Sequence, residues 1–132
     1  MTVQSKDKFL KSALTANAVF SGLSGVMMIL FGERLNSILG VEISWLLLSI
    51  GIGLIGFSGY LFFVKSQKVV PATTAWAIVA ADIMWVAGSL VVLVNPPSNM
   101  EPTGKTLVAG AALIVAIFAA LQSHGTKIQT RI

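Results

Sequence analysis

The segment that most constrains the fold is the apolar stretch from Ala72 to Val94, which carries a single acidic residue, Asp82, near its middle. About 20 apolar residues in a helix cross the hydrocarbon core of a bilayer, and this stretch is slightly longer. A carboxylate at mid-depth costs about 2.5–3.5 kcal/mol on insertion scales, so such an acid normally faces protein or water and has a partner. The sequence therefore predicts a membrane-spanning helix with a polar contact at Asp82.

The composition of the whole chain agrees with a membrane location. Of its 132 residues, 55% are hydrophobic and 11% are charged, whereas soluble domains contain about 25% charged residues. A soluble domain of this size would leave too much of that apolar surface exposed. There is no cysteine, which excludes disulfides, thiolate metal sites and cysteine nucleophiles. We predict one integral membrane domain covering residues 1–132.

Four apolar segments are long enough to cross the bilayer. The predicted spans are approximately 12–31, 45–64, 72–94 and 105–123. The first is longer than the 7–15-residue apolar core of a secretory signal peptide, so we interpret it as a retained helix. Residues 32–44 carry apolar side chains at helical spacing, and we expect either a short interfacial helix ended by Gly40 or an irregular loop. Residues 124–132 are expected to form a polar tail.

The distribution of cations predicts the orientation in the membrane. Seven of the nine Lys and Arg residues lie in the N-terminal tail, the second connector and the C-terminal tail: Lys6, Lys8, Lys11, Lys65, Lys68, Lys127 and Arg131. The other two connectors also carry acids, namely Glu33, Glu42 and Glu101. Positive residues stay in the cytoplasm, and short connectors favour antiparallel neighbours. The predicted fold is therefore all-α, a membrane-spanning antiparallel four-helix bundle with cytoplasmic N- and C-termini.

Small residues indicate where these helices are expected to pack. Transmembrane helices associate through close approach of their backbones and through polar contacts, because lipid tails are as apolar as leucine. The predicted packing positions are Gly25, Gly53, Gly56, Ala112 and Ala116. The glycine-rich second span packs either against another helix of the chain or against a second copy of the protein.

Polar residues of other spans fall at depths similar to that of Asp82. At a rise of 1.5 Å per residue, Asp82 lies roughly 15 Å inside its span, and Ser21 reaches nearly the same level. Asn17 and Ser58 lie about one turn nearer to the cytoplasm. Trp85 follows Asp82 at i+3 and so shares its helix face. We predict that these five residues form a polar cluster in the core of the bundle.

Two interpretations of this cluster remain open. In one, Asp82 binds and releases a proton, and Trp85 offers an aromatic face to a cation or a flat apolar ligand. In the other, Asp82 is protonated, or it accepts hydrogen bonds from Asn17, Ser21 or the Trp85 indole, and it fixes the register of the third span against the first. The lack of a basic partner or a second acid favours the structural interpretation.

Several other kinds of site are excluded by the sequence. The only histidine, His124, lies beyond the fourth span, so the chain has no pair of histidines for a haem or metal site. Residues 51–56 have the spacing GxGxxG but lie inside an apolar span without a preceding strand, so they do not form a dinucleotide site. The net charge of +4 comes from cations at the ends of apolar runs and does not indicate nucleic-acid binding. We predict no cofactor, no metal and no nucleic-acid partner.

Two stretches carry a resemblance to known proteins: residues 16–25, ANAVFSGLSG, and residues 82–89, DIMWVAGS. They resemble a set of small bacterial four-span membrane proteins of unknown function, and the resemblance covers nearly the whole chain. It implies a location in the bacterial inner membrane and points to Asn17 and Asp82. It implies no particular activity.

Together these features predict a small non-enzymatic membrane protein that acts as an accessory or interaction subunit of a membrane complex. The expected partners are membrane lipids and either other membrane-protein subunits or further copies of the chain. The alternative is an oligomeric proton-coupled carrier, or a protein that binds lipids or other hydrophobic molecules, using Asp82. The shortage of acid–base pairs argues against an enzyme.

Overall fold

The computed structural model describes residues 3–41 and 45–130, and its side chains are described for residues 8–41 and 45–128. Five helices make up this part of the chain, which contains no strand: α1 Val3–Leu30, α2 Gly32–Leu39, α3 Leu46–Lys65, α4 Ala72–Val94 and α5 Pro102–Thr130. The side chains of Lys6, Glu42 and Arg131, which enter the charge argument, lie outside the described residues.

Four of the helices are long and apolar enough to cross a membrane. The apolar segments are Lys8–Leu30, Leu46–Lys65, Ala72–Val94 and Pro102–Ile128. The all-α, four-span prediction is confirmed, and the chain has the architecture of a multi-pass membrane protein. The orientation of the termini stays a prediction.

α1 is the helix on which the bundle is built, since it packs against both α3 and α5, and α4 packs against α5. Along the α1–α3 contact, Gly22 lies against Ser58 and Gly25 lies against Gly51. Residue numbers thus fall along α3 as they rise along α1, which makes these neighbours antiparallel. The consecutive helices α3 and α4 are further apart. In the described part of the chain, no Cα atom of α3 lies within 8 Å of a Cα atom of α4.

α1 and α5 also run antiparallel and stay in contact near the chain termini. Gly125 lies so close to Leu10 that a Cβ at this glycine would stand 2.9 Å from the Leu10 Cα. The contact lies in the part of α5 that continues to Thr130, where the sequence predicted a polar tail. Further along α5, Ala112 is buried and Ala116 is half-buried.

Tight packing is concentrated at the end of the bundle that holds the α3–α4 turn. The buried apolar cluster there consists of Leu10, Leu14, Ala18, Leu61, Val64, Val70, Ala75 and Ile78. Lys11 Nζ donates a hydrogen bond to the Lys68 carbonyl at 3.2 Å and ties the turn to α1. In α4, the last buried residue is Asp82, at the helix midpoint. The bundle is therefore closed at this end and wider beyond Asp82.

The short helix α2 lies at the opposite end, so the helical alternative for this connector is the one found. Gly40 ends α2 in the left-handed conformation, with φ 71°. The Glu101 amide then donates to the Ile38 carbonyl at 2.9 Å, and the Gly104 backbone lies directly against that carbonyl oxygen. These contacts join α2 to the connector between α4 and α5.

The closest approach between two helices occurs at Gly25 and Gly51. A Cβ built at Gly25 would lie 2.6 Å from the Gly51 carbonyl oxygen, a distance that no side chain tolerates. Gly53 and Gly56 do not pack against the described residues: both are exposed, and a Cβ at either would meet no atom of those residues within 4 Å. The reason is rotational, because at 100° per residue both glycines point well away from the face that Gly51 turns to α1.

Candidate functional site

Three helices meet at the carboxylate of Asp82. Its Oδ2 accepts a hydrogen bond from Asn17 Nδ2 of α1 at 2.8 Å and another from Gln122 Nε2 of α5 at 2.6 Å. Asn17 Nδ2 also donates to Gln122 Oε1 at 2.9 Å. The three side chains are 4%, 1% and 0% exposed for Asp82, Asn17 and Gln122 respectively. They form a closed triangle, which we call the polar triad.

One hydroxyl group extends the polar triad, and a second bonds to the backbone of one of its members. Ser21 Oγ donates to Asn17 Oδ1 at 3.1 Å, so the Asn17 amide is engaged through both its nitrogen and its oxygen. Thr126 Oγ1 donates to the Gln122 carbonyl at 2.7 Å, one turn further along α5. Hydrocarbon offers no hydrogen bonds, so polar groups at this depth need protein partners. The triad supplies them between α1, α4 and α5.

One oxygen of the carboxylate is left open. Both hydrogen bonds to Asp82 reach Oδ2, and Oδ1 accepts none from the described side chains. No Lys, Arg or His of the described residues lies within 4.0 Å of this carboxylate. Asp82 is thus held by neutral amides and has no counter-charge from that part of the protein.

A cavity of about 210 Å³ lies beside the polar triad, in the wider part of the bundle. Residues of all four long helices line it. Its wall is almost wholly apolar: Asp82, Ser21 and Ser24 lie along it but present little polar surface to it, and Phe20, Phe57 and Trp85 contribute aromatic rings. The cavity occupies space between α3 and α4 that closer packing of these helices would have filled. Asp82 and three aromatic side chains line it.

The indole N–H of Trp85 is a buried hydrogen-bond donor beside this cavity. Trp85 lies one turn beyond Asp82 and lines the cavity, while its Nε1 is buried without an acceptor among the described residues. Burying such a donor without a partner costs about 1–3 kcal/mol by protein mutational data. Trp85 therefore contributes its ring to the cavity wall, while its Nε1 is buried without an acceptor among the described residues.

Of the residues predicted from sequence, Asn17, Ser21 and Asp82 lie in one hydrogen-bonded network. Trp85 lines the adjoining cavity but does not hydrogen bond to that network. Ser58 is buried elsewhere: its Oγ donates to the Ala18 carbonyl at 2.6 Å and ties α3 to α1. The predicted cluster is thus divided between the polar triad, the cavity wall and a separate helix contact.

Sequence reasoning missed Gln122, the third member of the polar triad. This residue is the penultimate one of the predicted span 105–123, a position that suggests the membrane interface. Because α5 continues to Thr130, Gln122 lies well inside the helix and is fully buried. The available signal was the pair Gln122 and Thr126 at i, i+4 spacing, which places two polar groups on one helix face.

The described residues include no group of three or more His, Cys, Asp or Glu side chains that could hold a metal ion. Among known proteins, no family model, no curated sequence and no solved structure matches this chain. The chemistry of the site therefore rests on its geometry: an acid fixed by two amides at the edge of an apolar, aromatic-lined cavity.

Proposed function

We propose that this chain is a non-enzymatic, multi-pass protein of the bacterial inner membrane that binds a small hydrophobic molecule in the cavity beside Asp82. The observation that carries the proposal is the cavity of about 210 Å³ lined by all four long helices. The membrane location is supported by the four helices that are long and apolar enough to cross a bilayer.

The volume of the cavity favours a ligand of modest size. An engineered apolar cavity of about 150 Å³ binds benzene. The present cavity is somewhat larger, and suits a single ring with a short substituent or the end of a longer chain. An apolar group in the cavity would add dispersion contacts with its wall.

Fluorescence quenching of Trp85 by iodobenzene tests the proposal. The other two tryptophans, Trp45 and Trp76, are 62% and 41% exposed and do not line the cavity, so Trp45→Phe and Trp76→Phe leave Trp85 as the only reporter. A heavy-atom quencher that enters the cavity contacts the Trp85 ring. We expect saturable quenching in a neutral detergent.

A pair of variants on α5 separates cavity binding from partitioning into the micelle. Ala111 lines the cavity, whereas Ala120 is exposed on the same helix and does not. Ala111→Phe fills the cavity and is expected to abolish saturable quenching, and Ala120→Phe is expected to preserve it. Quenching that rises linearly with iodobenzene, or equally in both variants, would contradict the proposal.

A second candidate function, as an accessory subunit, is supported by the outer face of α3. Ser49, Gly53 and Gly56 recur there at i, i+4 and i+7 spacing and are all exposed, which would allow another membrane helix to approach closely. Gly56→Leu is then expected to release a partner that co-purifies after mild solubilisation. Gly88→Leu, at an equally open glycine of α4, is the matched control. A protein that purifies alone in every mild detergent would contradict this candidate.

A further inference from the structure

We infer that the apolar group bound in this cavity is the methyl end of an acyl chain of a bilayer lipid, which enters sideways through the gap between α3 and α4. This inference rests on the proposed function, because it requires an apolar ligand in the cavity. It adds the chemical class of that ligand and the route by which it arrives.

The first argument is the side on which the cavity opens. In the order α3, α1, α5 and α4, each helix packs against the next, whereas α4 and α3 have no Cα atoms within 8 Å of each other in the described part of the chain. The ring of helices is therefore open between α4 and α3. Ala81 of α4 lines the cavity and is also exposed, so the cavity reaches the outer surface of the bundle there.

The second argument is the depth of this opening in the membrane. Ala81 lies nine residues beyond Ala72, where α4 begins, and this places it roughly 14 Å along the helix. The hydrocarbon core of a bilayer is about 30 Å thick, so the opening lies close to the midplane. That region contains no water, and the methyl ends of lipid acyl chains meet there. A ligand that enters at this depth therefore comes from the hydrocarbon.

The third argument is the apolar character of the wall. Asp82, Ser21 and Ser24 lie along the cavity but present little polar surface to it, and the other lining side chains are apolar or aromatic. Asp82 is 4% exposed, and its hydrogen bonds come from amides of the protein. A polar or charged group in the cavity would lose its hydrogen bonds without replacement. A saturated chain has no such group and gains dispersion contacts.

The fourth argument is size. By proportion with the benzene-binding cavity of about 150 Å³, the volume of about 210 Å³ holds roughly eight carbon atoms. That length corresponds to the methyl-terminal part of an acyl chain, and the rest of the chain continues through the gap into its leaflet. A transmembrane helix is about 10–12 Å across, too wide to enter this space, so a partner subunit could only cover the gap.

The test is the quenching of Trp85 by brominated acyl chains. The protein with Trp85 as its only tryptophan is reconstituted in bilayers of phosphatidylcholine whose chains carry bromine atoms, which quench tryptophan on contact. Chains brominated near the methyl end are expected to quench more strongly than chains brominated near the carboxyl end. Ala111→Phe is expected to lower this quenching about twofold or more, because the phenyl ring takes the space of the chain. Ala120→Phe is expected to leave it nearly unchanged.

A second pair of variants, on α3, is expected to shift the signal in the opposite direction. Leu54 lines the cavity and is half-buried, whereas Ile52 is exposed and does not line it. Leu54→Ala enlarges the cavity and is expected to increase quenching by brominated chains. Ile52→Ala removes a similar side chain from the outer surface of the same helix and is expected to have little effect. This pair tests the inference without filling the core.

Equal quenching by brominated chains in Ala111→Phe and Ala120→Phe, together with equal quenching in Leu54→Ala and Ile52→Ala, would overturn the assignment to a lipid chain. That result is also expected if a partner helix covers the gap and shields Trp85 from lipid. Saturable iodobenzene quenching in detergent would then leave the proposed hydrophobic site intact, with a diffusing molecule as its ligand. Absence of both signals would overturn both proposals.

Discussion

Asn17 makes more side-chain hydrogen bonds than either of the other two members of the polar triad. Its amide donates to Asp82 and to Gln122 and accepts from Ser21. In a low-dielectric environment a satisfied polar network stabilises the fold, and a half-satisfied one destabilises it. The contribution of Asn17 to stability therefore comes from the hydrogen bonds of its amide rather than from the volume of its side chain.

Truncation of this side chain is expected to destabilise the protein. Asn17→Ala removes three hydrogen bonds and leaves Gln122 Oε1 and the Ser21 hydroxyl without the partners they have now. We expect the free energy of unfolding in mixed micelles, measured by titration with sodium dodecyl sulfate, to fall by about 1–3 kcal/mol. Ser24→Ala on the same helix is the control, expected to change stability by less than about 0.5 kcal/mol. Equal effects of the two substitutions would contradict the network.

The depth of single residues along a helix could be predicted from the sequence. The direction in which each side chain points around the helix axis could be predicted only in part. Helical rise placed Ser21 near the level of Asp82 and Asn17 about one turn nearer to the cytoplasm, and the i, i+4 spacing of Asn17 and Ser21 puts both on one helix face. Ser58 was at a suitable depth, yet its helix turns it to a backbone carbonyl of α1. The predicted span 105–123 was shorter than α5, so the burial of Gln122 was not predicted.

The close contact between α1 and α3 depends on two glycines, which have no side chain, at the point where the helices cross. Gly25 and Gly51 bring the two backbones together, while Gly53 and Gly56, on the same helix as Gly51, face outward. A run of glycines in a span predicts that some face packs closely. It does not predict which face packs, since the packed face depends on the rotation of α3 relative to α1.

The same substitution at two glycines is expected to have opposite effects. Gly25→Ala forces a Cβ against the Gly51 carbonyl oxygen and the Ile55 side chain, so we expect a loss of about 1–3 kcal/mol in the free energy of unfolding. Gly53→Ala meets open space and is expected to add about 0.5–1 kcal/mol, because alanine has the higher helix propensity. The measurement is again unfolding in mixed micelles, and a loss at Gly53 similar to that at Gly25 would contradict the assigned helix faces.

The bundle as a whole is closed at one end and wider in its middle. Hydrophobic length was sufficient to predict the four spans, because the bilayer fixes how long each apolar segment must be. Length says nothing about how neighbouring spans are spaced, so the gap between α3 and α4 and the cavity within it could not be predicted. The gap and the cavity depend on which helices pack against α1 and α5.

The orientation of the bundle is open to a direct test, since the chain has no native cysteine. Ser37, Ser66 and Ser98 are exposed in the three connecting regions. Because positive residues remain in the cytoplasm, single cysteines at Ser37 and Ser98 are expected to react with an impermeant thiol reagent on intact cells, and a cysteine at Ser66 only after permeabilisation. Labelling of Ser37 and Ser98 from opposite sides would contradict the contact between α2 and the α4–α5 connector.

The central claim is that the buried carboxylate is held between helices of its own chain, with α5 providing the shortest hydrogen bond. A double-mutant cycle with Asp82→Ala and Gln122→Ala, measured as the free energy of unfolding in mixed micelles, tests this most directly. The 2.6 Å hydrogen bond predicts a coupling energy of about 0.6–1.7 kcal/mol, the average to the upper end of the range for such bonds in membranes. A coupling energy indistinguishable from zero, like that expected for Asp82→Ala with Ser24→Ala, would show that the carboxylate does not contact Gln122 and would contradict the account.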